Sequence, residues 1–367
     1  MNLLIPNLGS TSLKYQILEM PSERVLARGR LERVKDYREA VAAIRVGDTP
    51  IDAVAFKAVL AGPRYRGTFV IDDAVLGAMQ EFLPAVPVHN AIYLAAIRAF
   101  REAMPGVPLV AAFETEFHAT MPEHAARYGV PAEWREKYGI RRYGFHGASH
   151  RYVGERAAEL LGKPGDSFRL VSCHLGGSSS MCAIDRGRSV DTTMGFSPQS
   201  GLEHATRPGD LDAFAVLYMM EKRGWSASEV GSQLAKGGGL AGLAGVPGGD
   251  VRDLERVAAA GSADAALALE VFAYEVRKTI GAYAAAMGGV DAVAFTGGIG
   301  ENSARLRSAC VAGLEFLGIR LDPARNEHGA GDRLVSPDGA PVAVLALATN
   351  EEVIVARRAY GVLTGKG

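Results

Sequence analysis

A strand–turn–strand layout that occurs twice constrains the fold of this chain more than any other feature. The first copy spans residues 2–17 and turns at Gly9-Ser10-Thr11-Ser12, and the second spans residues 169–184 and has a Gly/Ser-rich turn. In each copy a further polar turn leads into a third predicted strand. Asn7-Leu8-Gly9 aligns without gaps with His174-Leu175-Gly176. The layout predicts an internal duplication, and coincidence between glycine-rich hairpins, which are common, is the alternative.

The rest of the chain alternates predicted strands with predicted helices, which indicates an α/β fold. Apolar runs predict buried strands at 51–56, 109–113, 290–295 and 342–347. Helical periodicity predicts helices at 90–103, 149–162, 211–222, 262–287, 302–317 and 351–363. We expect the last helix to pack back on the first half. The expected domains are therefore 1–145 plus 352–367, and 146–351.

Composition and charge exclude several classes of protein. The chain has 367 residues, of which 48% are hydrophobic, enough for two domains with cores. The net charge is −1, so bulk charge favours neither nucleic acid nor an anionic membrane. The three cysteines, Cys173, Cys182 and Cys310, show no CxxC spacing and predict buried thiols. Without a signal-like start or an uncharged long apolar helix, the chain is expected to be soluble and cytoplasmic.

One ten-residue run concentrates side chains that a core does not absorb easily: Arg141-Arg142-Tyr143-Gly144-Phe145-His146-Gly147-Ala148-Ser149-His150. Buried histidine and arginine need partners, and glycine weakens regular structure. The run is therefore interpreted as a loop wrapped around an anion. An ordinary polar connection before a helix is the alternative.

Glycine-rich turns suggest where phosphate and a flat ligand would lie. Gly/Ser hairpin turns present backbone N–H groups and hydroxyls that suit phosphate oxygens, and Lys14 follows the first turn. The stretch 295–303 runs from a predicted strand into a predicted helix, and its glycines let a ligand approach the helix N-terminus. It matches neither GxGxxG nor a Walker A loop, which argues against dinucleotide and P-loop proteins. A tight turn capped by Asn302 is the alternative.

Arg207 is a candidate anion-binding cation. It lies just before a predicted helix whose N-cap is expected to be Asp210. A guanidinium fork suits a carboxylate or a transferring phosphoryl group. A surface ion pair is the alternative.

Carboxylates stand at the ends of predicted strands. Glu114 ends one, where open α/β sheets place their chemistry. Thr349 and Glu352 fit a capping box at the last helix. Glu351 has no such explanation, and it suits Mg²⁺ as an acidic oxygen ligand.

With these motifs taken together, the chain resembles the acetate and propionate kinase family over essentially its whole length. The matching segments are 7–14, 88–90, 113–122, 143–153, 174–180, 189–212, 249–253, 295–303 and 349–352. The resemblance implies a duplicated actin-like (ribonuclease H-like) ATPase fold with two domains and a central cleft. It implies a homodimer that uses ATP with Mg²⁺ or Mn²⁺. The implied reaction is reversible, direct in-line transfer of the γ-phosphoryl group to a short-chain carboxylate, which gives an acyl phosphate.

The resemblance also implies roles for individual residues. Those implied in catalysis are Arg207, His146, His174, Glu114 and Lys57, with His89 and His150 as further histidines of the cleft. Those implied in substrate binding are Lys57, Val59, Val88, Phe145, Pro198 and Arg207. Those implied in nucleotide binding are Lys14, Gly176, Gly177, Ser178, Asp250, Val251, Arg252, Gly298 and Asn302. Asn7 and Glu351 are implied as metal ligands.

Three positions of the implied site depart from the family. Lys57 stands where the family has an arginine, flanked there by two histidines that are absent here, Glu114 replaces an aspartate, and Gly177-Ser178 replaces Asn-Gly. Lysine lacks the two-pronged fork of arginine. Lysine also reaches less far and glutamate farther, so the exchanges are interpreted as a compensating pair or a defect. A working kinase for acetate or propionate is expected; the alternatives are a catalytically weak, regulatory nucleotide-binding paralogue and a kinase for a different small carboxylic acid.

Overall fold

The framework of the protein is a pair of six-stranded mixed sheets. The computed structural model describes residues 1–9, 12–44 and 49–366, and of Val88 only the backbone. The predicted turn at Gly9-Ser10-Thr11-Ser12 therefore lies partly outside the described residues. The strands are β1 Asn2–Leu8, β2 Ser12–Glu19, β3 Arg24–Glu32, β4 Ala53–Ala58, β5 Thr68–Val70, β6 Leu109–Phe113, β7 Arg169–His174, β8 Ser180–Asp185, β9 Arg188–Thr192, β10 Ala292–Thr296, β11 Arg333–Leu334 and β12 Ala343–Ala346.

Helices connect and cover these strands. They are α1 Tyr37–Ala42, α2 Asp73–Glu81, α3 Pro87–Ala103, α4 Glu123–Ala126, α5 Ala132–Tyr138, α6 Gly147–Leu161, α7 Ala213–Arg223, α8 Ala227–Gly237, α9 Gly239–Ala244, α10 Val251–Ala259, α11 Ala263–Ala286, α12 Gly297–Asn302, α13 Ala304–Val311, α14 Pro323–Glu327 and α15 Glu351–Thr364. Short 3₁₀ turns lie at Leu83–Ala85, Phe117–Thr120, Gly165–Ser167 and Glu315–Leu317. Within the described ranges, no helix is both long enough and apolar enough to cross a bilayer.

The two sheets have the same strand order. The first runs β3-β2-β1-β4-β6-β5, and the second, read in the same sense, runs β9-β8-β7-β10-β12-β11. In the first sheet β1, β2 and β3 form an antiparallel meander, β1, β4 and β6 are parallel, and β5 is antiparallel to β6. The second sheet repeats this pattern. The predicted duplicated α/β fold is therefore confirmed.

Helix α15 covers one face of the first sheet. Leu3 and Ile5 of β1 pack with Ile354 and Val355 in one buried cluster. Side chains of a strand alternate between its faces, so Leu4 packs into a separate cluster on the other face. The last helix thus returns to the first half of the chain, as expected, while the exact division into domains stays a prediction.

Helix α6 joins the cores of the two halves. Ala148, in its first turn, belongs to the cluster under α15. Val153 and Ala157 pack against the second sheet together with Leu170 and Ile184. The start of α6, which directly follows His146, is thereby fixed between the two sheets.

The prediction of one helix over 302–317 is wrong. Ser303 ends α12 and caps α13, where its side chain accepts a hydrogen bond from the N–H of Leu306. Asn302 is not the cap: its Nδ2 donates to the carbonyl oxygen of Gly298. Gly297, at φ 76°, allows α12 to begin, since a Cβ there would lie 2.6 Å from the carbonyl oxygen of Leu175.

Two further cap predictions are wrong because a neighbouring residue takes the position. Asp212, rather than Asp210, caps α7 by accepting from the N–H of Phe214; Asp210 instead accepts from the N–H of Gly201. At α15 the cap is Asn350, which accepts from the N–H of Val353.

The predicted capping box at α15 leaves its two residues with other partners. Thr349 Oγ1 donates to Ser149 Oγ at 2.9 Å. Glu352 Oε1 accepts from Asn7 Nδ2 at 3.0 Å. Glu352 therefore contacts the end of β1 rather than the start of its own helix.

Candidate active site

A buried ion cluster forms where three elements of the fold meet. Lys57 lies near the end of β4, Glu114 follows β6, and Glu351 begins α15. The Nζ atom of Lys57 donates to Oε2 of Glu351 and lies 3.4 Å from Oε1 of Glu114. Because β4 and β6 are neighbouring parallel strands, their carboxyl ends deliver Lys57 and Glu114 to the same edge of the sheet.

Charge within this cluster depends on mutual pairing. Burial by itself would lower the pKa of Lys57, but Glu351 and Glu114 raise it well above its usual value. Burial would raise the pKa of Glu351, but Lys57 and then His174 hold it below its usual value. For Glu114, burial outweighs Lys57 and raises the pKa. The lysine is therefore charged, and Glu351 is its principal counter-ion.

Two histidines face each other beside the cluster. His146 precedes α6 with a left-handed backbone, φ 56°, and its ring centroid lies 4.3 Å from that of His174. His146 Nδ1 hydrogen-bonds with Ser180 Oγ at 2.9 Å, and His174 Nδ1 with Ser149 Oγ at 2.7 Å. Neither Nε2 has a hydrogen-bond partner within the part of the chain that the structure describes. Burial is the main cause that lowers the pKa of both rings.

His150 supports this pair from behind. It is fully buried, and its two ring nitrogens hydrogen-bond with Ser172 Oγ and Ser180 Oγ, each at 2.8 Å. No ring nitrogen of His150 is left for a ligand. Since Ser180 also bonds His146, the expected cleft histidine orients another histidine instead of lining the cleft.

Arg207 approaches the cluster from the second half of the chain. Its Nη1 donates to the carbonyl oxygen of Pro198. Burial lowers the pKa of Arg207 to about 10, against the attraction of Glu114. His89, on α3, is also within reach of these charges: loss of solvation and then Arg207 and Lys57 lower its pKa. The structure thus brings the predicted cations and cleft histidines within electrostatic reach of one another.

Two of the residues predicted to form the apolar pocket are buried. Val59 is 4% exposed and Phe145 is 0% exposed, so both belong to the core around the site. The carbonyl oxygen of Phe145 also accepts a hydrogen bond from Nε2 of His118 at 2.9 Å. The side chain of Val88 lies outside the described residues.

The second Gly/Ser turn joins β7 to β8 and offers free backbone donors. The N–H of Gly176 is used within the turn, where it donates to Ser179 Oγ at 3.1 Å. The N–H groups of Gly177 and Ser178 donate to no other atom of the described chain. A Cβ at Gly177 would meet nothing within 4 Å, so the space above the turn is open.

The predicted adenosine residues lie beside this turn or on its side of the fold. A Cβ on Gly176 would come within 3.9 Å of the backbone nitrogen of Gly298, which places α12 against the turn. Asp250 caps α10 and pairs with the guanidinium of Arg252 at 2.6 Å. Val251, however, is 6% exposed and packs in the second core. Only its backbone is therefore placed to meet a ligand.

Lys14 lies apart from the Gly/Ser turn of the second half. It lines a cavity together with Arg28, Asn7 and Glu352, on the face of the first sheet next to α15. Its charge therefore lies near Asn7 rather than near Gly177.

The two predicted metal ligands, Glu351 and Asn7, suit magnesium only in combination with a nucleotide. Glu351 supplies a carboxylate, while Asn7 is held against Glu352 rather than Glu351. Among the described residues, no group of three His, Cys, Asp or Glu side chains could hold a metal ion by itself. Mg²⁺ commonly binds one or two protein carboxylates and takes its remaining oxygens from water and phosphates. Glu351 and Asn7 fit that mode of binding.

Sequence reasoning missed three buried residues of the site. Tyr93 on α3 is 4% exposed and lies close enough to Lys57 for each to influence the pKa of the other. His118 bonds Ser189 Oγ at 2.8 Å, and His204 accepts from the N–H of Ser179 at 2.9 Å. Each stands within or beside a motif, but a single histidine or tyrosine carries no spacing signal.

Known proteins resemble this chain over nearly its whole length. The model of the acetokinase family matches residues 37–357. An acetate kinase of Geobacillus kaustophilus is 44% identical over 382 residues, which cover 96% of each chain. The crystal structure of an acetate kinase from Porphyromonas gingivalis aligns with a TM-score of 0.90 and 35% identity over 99% of both chains. That of a propionate kinase from Francisella tularensis aligns with a TM-score of 0.90 and 31% identity, over 97% of this chain and 98% of that one.

A duplicated α/β fold of this strand order, with cations, imidazoles and a glycine turn close together, is that of an actin-like phosphotransferase. The family match and the nearly full-length relatives make the assignment specific: this chain belongs to the acetokinase family.

We predict that stability falls as the pH drops from 7 to 5. Burial lowers the pKa of His118 to about 4 and, together with Arg207, that of His204 to about 3, from an ordinary value of 6.5. Below 6.5 the unfolded chain takes up protons that the folded rings refuse, so each ring contributes a slope of up to about 1.4 kcal/mol per pH unit. Thermal melts across this range measure the effect, and a His118→Gln variant should show a shallower slope. A melting temperature independent of pH would contradict neutral, buried rings.

Proposed function

We propose that the protein transfers the γ-phosphoryl group of ATP reversibly to a short-chain carboxylate, acetate or propionate, and forms an acyl phosphate. The observation that carries the proposal is that Arg207, His146 and His174 all lie within electrostatic reach of the cluster formed by Lys57, Glu114 and Glu351. Related proteins named acetate kinase and propionate kinase support the choice of acceptor.

The residues of the site fit direct in-line transfer. A carboxylate is already ionised at neutral pH and needs no general base, so catalysis consists of positioning and charge stabilisation. Arg207 binds the acceptor carboxylate and the phosphoryl group in flight, because its fork matches both. Val59, Phe145 and Pro198 enclose the alkyl group, and Val88 is assigned to the same pocket from the family resemblance alone.

Hydrogen bonds around the two facing histidines prepare them as donors. Thr349 donates to Ser149, so the proton of Ser149 is free to go to Nδ1 of His174. A neutral ring whose Nδ1 accepts carries its proton on Nε2. Ser180 is equivalent for His146: its oxygen accepts from Nε2 of His150, and its proton goes to Nδ1 of His146. Two Nε2–H groups then face the transferring phosphoryl oxygens without the cost of a buried positive charge.

Nucleotide and metal complete the proposal. The adenosine lies at Asp250–Arg252, Gly298 and Asn302, and its phosphates lie on the turn 176–178, with Lys14 as a further cation toward the first half. Bound Mg²⁺ or Mn²⁺ supplies a Lewis acid that neutralises charge on the phosphates, and Glu351 and Asn7 are the residues that would hold it. The cleft then separates a domain of 1–145 plus 352–367 from one of 146–351.

We further propose that the protein acts as a homodimer in the cytoplasm. No residue of the eleven-residue helix α7 is buried, although it is largely apolar. Phe214 is 76% exposed, and Leu217 and Tyr218 are more than half exposed. A surface helix normally buries its apolar stripe, and an exposed patch of this kind marks an interface. The free, buried thiols of Cys173, Cys182 and Cys310 suit a reducing compartment.

The first test is an acyl hydroxamate assay with ATP, Mg²⁺ and a panel of small carboxylic acids. Acetate or propionate should give product, and Arg207→Ala should lower kcat by roughly 10³-fold or more with ADP affinity unchanged, because the arginine acts on the transferring group. If acyl phosphate formed only with other acids, the proposed acceptor would be wrong. ATP binding without any acyl phosphate would indicate a nucleotide-binding paralogue instead of a kinase.

The second test is Lys57→Arg, compared with Lys57→Met as a control without charge. We expect the arginine variant to be slower than the wild type, because Lys57 fits between Glu114 and Glu351 as a compact charge. The methionine variant should also lose stability, since it leaves buried carboxylates unpaired. A faster Lys57→Arg enzyme would show that the lysine is a defect rather than part of a tuned pair.

The third test concerns the dimer. Phe214→Glu should shift the protein toward the monomer in light scattering, because it places a charge in the proposed interface. Phe316→Glu is the matched control, since Phe316 is 79% exposed but lies outside α7. A wild-type protein that is monomeric at micromolar concentration would contradict the interface.

A further inference from the structure

His204 is a fully buried histidine for which the proposed mechanism has no role. It is 0% exposed and lies next to the turn between β7 and β8, three residues before Arg207. Burying an imidazole costs solvation free energy that hydrogen bonds have to offset. The contacts of its ring therefore indicate what the residue does.

The ring has one defined polar contact. Nδ1 of His204 accepts a hydrogen bond from the backbone N–H of Ser179 at 2.9 Å. An accepting Nδ1 carries no proton, so the proton of the neutral ring is on Nε2. Nε2 makes no hydrogen bond of ordinary geometry with the described residues, although the backbone of Ser200 lies near it. The bond to Ser179 is thus the one hydrogen bond of ordinary geometry that the ring makes with the described residues.

The backbone around His204 supports the same turn. The N–H of Ala205 donates to the carbonyl oxygen of Gly177 at 3.0 Å, and the N–H of His204 donates to the carbonyl oxygen of Arg207 at 3.0 Å. Gly239 packs so closely that a Cβ there would lie 2.2 Å from the carbonyl oxygen of His204. The segment from His204 to Arg207 is therefore held firmly, with the glycine turn on one side and the acceptor-binding cation at its end.

Internal hydrogen bonds determine which donors the turn offers to a ligand. The N–H of Gly176 is taken by Ser179 Oγ, and the N–H of Ser179 is taken by His204. The N–H groups of Gly177 and Ser178 have no partner in the described ranges. Successive free N–H groups of this kind form an anion-binding concavity. The side chain of His204 sets the boundary between used and free donors.

We propose that His204 is a positioning residue for the nucleotide phosphates: its Nδ1 holds the Ser179 amide so that the N–H groups of Gly177 and Ser178 remain directed at the phosphates. This rests on the proposed ATP-dependent function. The low pKa of His204, caused by burial and then by Arg207, keeps Nδ1 unprotonated at neutral pH. A charged ring would present an N–H to the Ser179 N–H and lose the contact.

The test is the affinity of the full chain for ADP with Mg²⁺, measured by calorimetry for the wild type, His204→Leu and His204→Asn. Leucine removes the acceptor and leaves a buried N–H unpaired, so we expect ADP to bind about tenfold more weakly. Asparagine restores an acceptor close to the position of Nδ1, and we expect it to recover most of the affinity. The KM for the carboxylate should change little in either variant.

Ser336→Ala is the matched control, because it removes another buried side chain that accepts from a backbone N–H, that of Val344, outside the turn and the proposed site. It should lower the melting temperature and leave ADP affinity unchanged. Wild-type ADP affinity in His204→Leu, or failure of asparagine to recover any affinity, would overturn the inference. A wild-type protein that does not bind ADP would overturn the proposed function itself.

A measurement on the wild type covers the case in which His204→Leu does not fold. Nitrogen NMR of the labelled histidines reports the tautomer of each ring. We expect His204 to be neutral with its proton on Nε2 at pH 6. A charged ring, or a proton on Nδ1, would overturn the inference independently of any variant.

Discussion

A buried ammonium group held between two buried carboxylates is the interaction on which the rest of the site depends. Lys57, Glu114 and Glu351 come from three separate elements, and each is largely removed from water. An isolated charge in such a place would cost several kcal/mol, so no member of the cluster is stable without the others. One ammonium group does not balance two carboxylates, and Arg207 adds a positive charge within electrostatic reach of Glu114. The cluster therefore couples both halves of the chain by charge.

The duplicated topology explains why these residues meet. In each sheet the first, fourth and sixth strands are parallel, so their carboxyl ends lie at one edge. The first sheet carries Asn7, Lys57 and Glu114 at these ends, and the second carries His174 at the position equivalent to Asn7. Helix α6 packs on both halves and brings His146 to His174. The first sheet thus contributes charged side chains to the site, and the second contributes imidazoles and the backbone N–H groups proposed to bind phosphate.

Much of this was predictable from the sequence, because it rests on local patterns. The paired hairpins, the buried strands and the histidine loop all carry periodicity or turn chemistry that survives without tertiary information. The helix caps were harder to predict: Asp210 and Asp212 are chemically equivalent, and only the backbone geometry selects Asp212. The partners of Glu351 and Glu352 could not be predicted either, since a contact with Lys57 or Asn7 joins residues about three hundred positions apart. Long-range pairing of this kind leaves no mark on the local sequence.

The departure at Lys57 follows from the same geometry. A planar guanidinium would bind one carboxylate with both prongs, whereas an ammonium group presents three donors around a point and can share them between two. Glu351 takes the close contact and Glu114 the longer one, at 3.4 Å, which an extra methylene in Glu114 helps to span. This geometry favours the interpretation of lysine and glutamate at these two positions as a compensating pair. On that interpretation the sign of each charge is retained, while the shorter reach of the lysine is offset by the longer glutamate.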